Sequence, residues 1–333
     1  MSWISGKIEL ICLMAMFGLF FGCSKKSKVF TAKPIAYSIN KDYLQISSYT
    51  ASLAGSVSKL YPLPLDTANT PHFGKYSISE DGALYRSDTP DSSSALWVSG
   101  IVPYTDTVVS LVYASESLDS IFKRIQIQSP GVVQVYYNDR HSLNRIYPPF
   151  DVLSQYSPKM DIPSFNFYYL ADLEHNPSKS VVWVKEPYVD PAGRGWMVSS
   201  IAPVYFENSL EGVVGLDVTV SAITERYLQS DSQSCAIITQ TGVVAAADEK
   251  AISYLEMPSI QGHRYLDVVK QDTYKQEEFS VVSSHSQEVR DLWTIAKVAQ
   301  DTLFTHILGF QVFNVEIAQI PPLQWTVLCL SPQ

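Results

Sequence analysis

The sequence has few cysteines and few charged side chains. It contains 4 Cys in 333 residues, and only 17% of the residues are Asp, Glu, Lys or Arg. Four Cys are too few for a disulfide-rich scaffold or for a zinc site built from Cys ligands. The formal net charge is -9, and no long basic run occurs, which argues against nucleic-acid binding. We therefore expect a globular chain of one or two domains with a large apolar core.

The motifs of common enzymes are also missing. The sequence has no Gly-x-Ser-x-Gly elbow, no P-loop and no Gly-x-Gly-x-x-Gly fingerprint. Its 6 His are dispersed and lack the spacing of metal-binding pairs. We predict that the protein is not an enzyme and uses no cofactor and no metal. Carboxylates brought together by folding keep a hydrolase as a third hypothesis.

The first 23 residues differ from the rest of the chain. An apolar run over residues 8–22, broken only by Glu9, suits the core of a signal peptide. The Gly-Cys pair that ends at Cys23, with a Lys- and Ser-rich run behind it, resembles the processing site of bacterial lipoproteins. The resemblance implies a signal peptide over residues 1–22, lipid on Cys23, and a place in the bacterial envelope facing the periplasm or exterior. An uncleaved anchor and ordinary secretion are the alternatives.

Two further cysteines remain after removal of the signal peptide. Cys235 and Cys329 both lie in apolar, strand-like runs. This pattern is compatible with two buried free thiols. It is also compatible with one disulfide between them in an oxidising compartment.

A polar stretch and a periodic stretch follow Cys23. Residues 23–40 lack apolar periodicity, which predicts a tether. Apolar side chains then recur every three or four residues over 41–60, which predicts an amphipathic helix of about five turns. Pro62 ends this pattern. The apolar stripe packs on its own domain, or it also pairs with a second copy of the helix in a homodimer.

Strand-like segments account for most of the remaining chain. Turn residues at 190–193 and 207–209 join three consecutive strand candidates, which predicts an antiparallel sheet. Strand-like segments begin again at Cys235 and continue to the end of the chain. The pattern predicts an α/β chain of the α+β type, with one long helix and two β-rich halves.

A stretch of about forty residues contains the segments Trp183-Val-Lys-Glu-Pro-Tyr188, Ala202-Pro-Val-Tyr205 and Gly212-Val-Val-Gly-Leu-Asp217. This succession of segments resembles the double Cache (dCache) family of extracytoplasmic sensor domains. The resemblance implies two PAS-like halves with antiparallel sheets. The membrane-distal half, over residues 61–220, would hold a small-molecule ligand, and residues 221–333 would form the membrane-proximal half.

The resemblance also implies ligand-binding residues. Tyr188 and Asp217 match a Tyr and an Asp of the amino-acid-binding branch of the family, and Tyr168 matches a second aromatic position. Phe167 replaces a Trp, and Phe165 stands where that branch has the Arg that binds a carboxylate. An aromatic pocket with an acid suits an amine, another cation or a neutral polar metabolite.

Candidate cations and partners complete these expectations. Arg140, Arg145 and Arg194 are the candidates for a substitute positive charge. We expect any signal to pass to a separate signalling partner. The alternative function is that of a structural or interaction lipoprotein that keeps the fold without binding a ligand.

Overall fold

The computed structural model describes residues 32–63, 74–88, 90–91, 93–129, 131–229, 234–258 and 279–333. The predicted signal peptide, Cys23 and the predicted tether up to residue 31 lie outside these ranges. The α-helices of the described residues are α1 (Ala32–Ser58), α2 (Asp106–Ala114), α3 (Asp119–Gln128), α4 (Val152–Gln155), α5 (Asn166–Tyr169), α6 (Val220–Tyr227), α7 (Glu249–Tyr254) and α8 (Gln287–Ala296).

The strands belong to two antiparallel sheets. Those of the first sheet are β1 (Tyr76–Ile78), β2 (Leu84–Arg86), β3 (Ala95–Val98), β4 (Val132–Asp139), β5 (Leu143–Tyr147), β6 (Val182–Val189), β7 (Trp196–Phe206) and β8 (Ser209–Thr219). Those of the second sheet are β9 (Ser234–Ile238), β10 (Val244–Ala247), β11 (Thr302–Leu308), β12 (Gln311–Ile320) and β13 (Trp325–Pro332). The predicted α+β class, with a long helix and two antiparallel sheets, is confirmed.

Helix α1 starts earlier than the sequence predicts. It runs from Ala32 to Ser58, so the predicted tether is wrong for residues 32–40, and the predicted 41–60 helix ends two residues early. Pro34 and the polar side chains around it hide this start in the sequence. A proline is nevertheless tolerated there, because N–H groups in the first turn have no partner within the helix.

The apolar stripe of α1 is buried against both sheets of its own chain. The helix contacts β7 and β8 of the first sheet and β12 and β13 of the second. Its stripe is buried at Tyr43, Ile46, Leu53 and Val57. Tyr43 stacks on Trp183 of β6 with 4.6 Å between ring centroids. Pairing of this stripe with a second copy of the helix would therefore require its contacts within the chain to open. The large apolar side chains that α1 exposes are Tyr37 and Leu44.

The first sheet has the strand order β1-β2-β3-β5-β4-β8-β7-β6. The three consecutive strands predicted from the turns are its last three, paired antiparallel as expected. The β6–β7 turn begins at Asp190, and the β7–β8 turn uses Glu207 and Asn208, both with positive φ. The carboxylate of Asp190 accepts hydrogen bonds from the backbone N–H groups of Ala192 (2.8 Å) and Arg194 (3.1 Å), which shapes the first of these turns.

The second sheet has the order β10-β9-β13-β12-β11. Cys235 of β9 lies directly opposite Cys329 of β13. The two form a disulfide across 94 residues of sequence. Of the two states compatible with the sequence, the structure therefore has the bonded one.

Two glycines of β8 admit tyrosine rings from β4. A Cβ atom at Gly212 would lie 2.5 Å from the carbonyl oxygen of Asn138 and 2.6 Å from the ring of Tyr137. A Cβ atom at Gly215 would overlap the ring of Tyr136. The spacing of these glycines therefore reflects the close approach of β4.

Candidate ligand-binding site

Alternate residues of β4 and β8 form one side of a small cavity. Side chains two apart on a strand share a face of the sheet. Gln134 of β4 pairs with Asp217 of β8, and Tyr136 pairs with Gly215. The opposite faces of these strands carry apolar side chains that join the core around α1. The segment over residues 150–171, which includes α4 and α5, covers the face of the sheet that lines the cavity.

The cavity is small and mixed in chemistry. Its volume is about 20 Å³, which is room for about one water molecule. Its lining is Gln134, Tyr136, Asn138, Asn144, Ile146, Tyr156, Met160, Ile162, Phe167, Tyr188, Asp190, Pro191 and Asp217. The structure thus gathers two carboxyl groups, three amide side chains and several aromatic rings around a nearly filled space.

Asp217 is the most deeply placed acid of the cavity. Its Oδ2 accepts a hydrogen bond from Gln134 Nε2 at 2.6 Å, and its Oδ1 accepts one from Ser199 Oγ at 2.5 Å. Burial and the nearby Asp190 raise its pKa to about 8, against the smaller lowering effects of Ser199, Gln134 and Arg194. An ionised Asp217 therefore lacks a full compensating charge.

Asp190 and Arg194 complete the charged groups near the cavity. Burial raises the pKa of Asp190, although backbone N–H groups of its turn and the charge of Arg194 act in the opposite direction. The guanidinium of Arg194 donates to backbone oxygens, at 3.1 Å to Pro148 and at 3.5 Å to Val133. The charge of Arg194 lowers the pKa of both acids, against the larger raising effect of their burial.

Aromatic rings enclose the acids. The ring of Phe167 lies 5.7 Å from that of Tyr188 and 6.1 Å from that of Tyr136, measured between centroids. The hydroxyl of Tyr188 lies 2.6 Å from Ser199 Oγ. Burial, followed by the charge of Asp217, raises the pKa of Tyr136 and of Tyr188 well above the ordinary value. Both phenols are therefore neutral at physiological pH.

The predicted site residues divide into two groups. Asp217, Tyr188 and Phe167 line the cavity together. Phe165 and Tyr168 do not line it: Phe165 stacks behind Phe167 at 5.1 Å, and Tyr168 is buried in the aromatic cluster that covers the first sheet. Their predicted role as ligand contacts is thus not supported by their position in this structure.

The three candidate arginines have different partners. Arg145 is fully buried and donates to Ser115 Oγ at 2.8 Å and to the Val112 carbonyl oxygen at 2.7 Å, outside the cavity lining. Arg140 pairs with Glu211 at 3.3 Å. Arg194 is the candidate whose charge reaches both cavity acids.

Sequence reasoning missed the contribution of β4 and of the β6–β7 turn. Gln134, Tyr136 and Asn138 alternate along a strongly β-like run, and this period-2 polar pattern on a central strand was the available signal. Asp190 looked like an ordinary turn residue. Its burial follows from the fold of the turn over the cavity.

Two buried polar atoms of the cavity lining have no hydrogen-bond partner among the described residues: Gln134 Oε1, which only accepts, and the Tyr136 hydroxyl, which can donate or accept. The carboxyl groups of Asp190 and Asp217 are further acceptors when ionised. No group of three or more His, Cys, Asp or Glu side chains in the described ranges could hold a metal ion. The arrangement is therefore suited to a small molecule that donates hydrogen bonds.

Comparisons by sequence found no relatives, whereas comparison of structures did. No protein-family model matches the chain, and no curated protein matches it in sequence.

None of the helices that the structure describes is long and apolar enough to cross a membrane.

Solved sensor domains have a similar structure over nearly the whole chain. The ligand-binding domain of the Pseudomonas fluorescens chemoreceptor CtaA, in complex with L-alanine, has a TM-score of 0.51 and 13% identity, over 91% of this chain and 94% of that one. The isoleucine-bound sensory domain of the Campylobacter jejuni chemoreceptor Tlp3 has a TM-score of 0.50 and 11% identity, over 90% and 88%.

A further similar structure comes from a different receptor class. The extracellular domain of mmHK1S-Z2, assigned as a histidine kinase, has a TM-score of 0.50 and 11% identity, over 90% of this chain and 94% of that one. At such low identities the likeness establishes the fold and not the ligand. The chain has the double Cache fold of extracytoplasmic sensor domains, as the strand motif ending at Asp217 implies.

Proposed function

We propose that this protein is a ligand-binding, sensor-type module of the bacterial envelope, which captures a small amine or other organic cation in the cavity beside Asp217. The observation that carries this proposal is the pair of buried acids, Asp190 and Asp217, inside an aromatic enclosure. A cationic ligand would compensate the charge of an ionised Asp217, whose hydrogen bonds come from the neutral side chains of Gln134 and Ser199, and the rings would favour it further. The unpartnered Oε1 of Gln134 offers a third acceptor.

The pattern of donors argues against a ligand held mainly by its carboxylate. By the family resemblance, Phe165 stands where the amino-acid-binding branch has an Arg. The terminal nitrogens of Arg194 donate to backbone oxygens, and Arg194 is not part of the cavity lining. L-alanine and isoleucine, the ligands bound to CtaA and Tlp3, also carry an ammonium group. The proposed ligand also carries a positively charged group, but it needs no partner for a carboxylate.

Ligand entry requires the cavity to widen. A space of about 20 Å³ holds about one water molecule, so side chains must move before an organic ligand fits. Met160 lines the cavity and is the most adaptable side chain there, because it is unbranched and has three rotatable bonds. We expect the ligand to displace Met160 and to be no larger than a small metabolite.

Export and anchoring form the second part of the proposal. The Gly-Cys motif at Cys23 suggests lipid attachment, and the disulfide between Cys235 and Cys329 is typical of an oxidising compartment. The protein would therefore work outside the cytoplasm, held to the membrane by its N-terminus. Any signal would pass to a separate partner or to a second copy.

A second candidate function is favoured by the volume of the cavity. A nearly filled pocket suits a structural or interaction lipoprotein that keeps the fold without binding a ligand. The two functions differ in whether any small molecule stabilises the native protein.

A thermal-shift screen of the purified processed protein separates the two. The panel contains amines, amino acids, purines and carboxylates. A ligand at one hundred times its dissociation constant adds about 2.7 kcal/mol to the unfolding free energy. We expect an amine to raise the melting temperature, the Asp217→Asn variant to lose the effect, and Asp291→Asn, which removes an exposed acid of α8, to keep it. No shift across the panel would favour the structural lipoprotein.

A further inference from the structure

The β11–β12 hairpin presents an unusual surface at one end of the molecule. Residues 302–315 contain no Asp, Glu, Lys or Arg, although β11 is an edge strand of the second sheet. Exposed edge strands normally carry charges that prevent pairing with other chains. Here Leu303 is 71% exposed, Ile307 is 55% exposed, and Phe310 at the tip is fully exposed.

These side chains form an apolar strip on one face of the hairpin, where Thr305 lies between Leu303 and Ile307. Leu303 and Ile307 lie on the same face of β11, because they are four residues apart. Val312 of β12 is the cross-strand neighbour of Ile307 and is also exposed. Phe310 extends the strip into the turn between the two strands. Exposed apolar surface of this kind marks contact with a partner or a membrane.

The hairpin tip points away from the first sheet. At the other end of β12, the turn into β13 contacts β6: the indole Nε1 of Trp325 donates to the carbonyl oxygen of Lys185 at 3.0 Å, and Lys185 Nζ donates to Gln324 at 2.6 Å. β12 has ten residues and spans about 30 Å. The tip therefore lies at the end of the molecule farthest from these contacts.

The N-terminus of α1 lies against the middle of β12. The backbone N–H of Lys33 donates to Glu316 of β12 at 3.5 Å, and Lys33 Nζ lies 3.9 Å from Asp301. Further along, Thr50 of α1 lies 2.7 Å from Ser200 of the first sheet. The helix thus runs from the β11–β12 hairpin towards the first sheet, and Ala32 is at the end of α1 that is nearer to the hairpin.

We propose that the strip formed by Leu303, Ile307, Phe310 and Val312 lies against the lipid surface to which the N-terminus is anchored. This inference rests on the proposed anchoring at Cys23. Eight residues lie between Cys23 and Ala32, so the chain between them spans at most about 30 Å. Glu316, beside Lys33, is about 17 Å from the tip along β12. An uncleaved apolar segment ending at residue 22 would place the membrane at the same distance. An uncharged, apolar tip suits the lipid interface.

Labelling of single positions in the anchored full-length protein tests the inference. Cys235 and Cys329 are joined. In the proposed processed form Cys12 has been removed with residues 1–22 and Cys23 carries the lipid, so a polarity-sensitive fluorophore attaches to the new thiol of a Phe310→Cys variant. Ile78→Cys is the matched control, because Ile78 is an exposed apolar residue (56%) on β1, the edge strand of the first sheet. The protein is isolated with its membranes or reconstituted into vesicles that contain a lipid-attached quencher.

We expect a blue-shifted emission and several-fold stronger quenching at position 310 than at position 78. A Leu303→Asp and Ile307→Asp double variant should lose most of that difference while remaining folded, since both side chains are exposed. Equal quenching at the two positions in membrane-attached protein would overturn the inference and leave the anchor intact. A blue shift that grows with protein density and comes without quenching would show that a second copy covers the strip. That result would also overturn the inference. Absence of the protein from membranes would overturn the anchor and this inference together, while leaving ligand binding untouched.

Discussion

The hydroxyl of Ser199 on β7 donates a hydrogen bond to the carboxyl group of Asp217 on β8 at 2.5 Å. The two residues are directly opposite each other in the sheet. On its other side, Ser199 Oγ lies 2.6 Å from the hydroxyl of Tyr188, so a chain of hydrogen bonds leads from the aromatic enclosure to the buried acid. This chain holds Asp217 in place, and burial keeps its carboxyl group protonated at neutral pH, because its pKa is about 8.

The raised pKa of Asp217 predicts a loss of stability as the pH rises. Between about pH 4 and pH 8 the native state keeps a proton that the unfolded state has released. The stabilising contribution of this proton is full below about pH 4. It falls by about 1.4 kcal/mol for each pH unit above that and is lost once the pH has risen through 8. Urea unfolding at several pH values should therefore give a flatter profile for Asp217→Asn than for the unsubstituted protein. Parallel profiles would show that Asp217 ionises normally.

Gly215 should not tolerate a side chain. A Cβ atom there overlaps the ring of Tyr136, so we expect Gly215→Ala to lower the unfolding free energy by about 1–3 kcal/mol. The control is Gly55→Ala on α1, where no atom lies within 4 Å of the added Cβ and where alanine favours the helix by up to about 1 kcal/mol. Chemical denaturation of both variants measures the contrast. A neutral Gly215→Ala would mean that Tyr136 does not lie on β8.

The disulfide between Cys235 and Cys329 should stabilise the second sheet. It closes a long loop, with its two residues 94 apart in sequence, and restricts the unfolded chain accordingly. We expect replacement of both cysteines by alanine to lower the unfolding free energy by about 2–4 kcal/mol. A reducing agent should have a similar effect on the unsubstituted protein and none on the double variant. Sensitivity of both proteins to the reductant would contradict this account.

Arg145 should serve stability and not ligand binding. It is fully buried, lies 3.6 Å from Asp119, and is not part of the cavity lining. Arg145→Met should lower the unfolding free energy by about 3–5 kcal/mol, because Asp119 and several polar groups lose a partner. Arg124→Met, at an exposed position of α3, should change it by less than about 0.5 kcal/mol. Any ligand found by the thermal-shift screen should still bind to folded Arg145→Met protein, and lost binding would place Arg145 in the site.

The sequence predicted local features better than the site that they build. The turns at Asp190 and Glu207 predicted the β6–β8 arrangement, because turn residues act over a few positions. The start of α1 was missed because tertiary burial of Ile35 and Ile39 outweighs the weak local pattern around Pro34. Burial of this kind depends on contacts with β12, nearly three hundred residues away.

The cavity illustrates the same limit at the level of single side chains. Asp217 and Tyr188 were predicted from a motif, and both line the cavity. The pairing of Gln134 with Asp217 depends on the register between β4 and β8, which no local pattern specifies. Phe165 and Tyr168 were predicted from a separate segment of the same family resemblance, and the short turns around α5 place them outside the lining. Spacing along the chain therefore predicted residues that line the cavity together with residues that do not.

Calorimetric titration with the amine selected by the thermal-shift screen is the most direct test of the central claim, that Asp217 binds a cation. A cation needs the ionised carboxylate, and protons compete for it below a pKa of about 8. We predict that the affinity rises by up to about tenfold per pH unit between about pH 6 and pH 8, with release of a proton on binding. An affinity that is equal at both pH values, or tighter at pH 6, or unchanged in Asp217→Asn, would contradict the account.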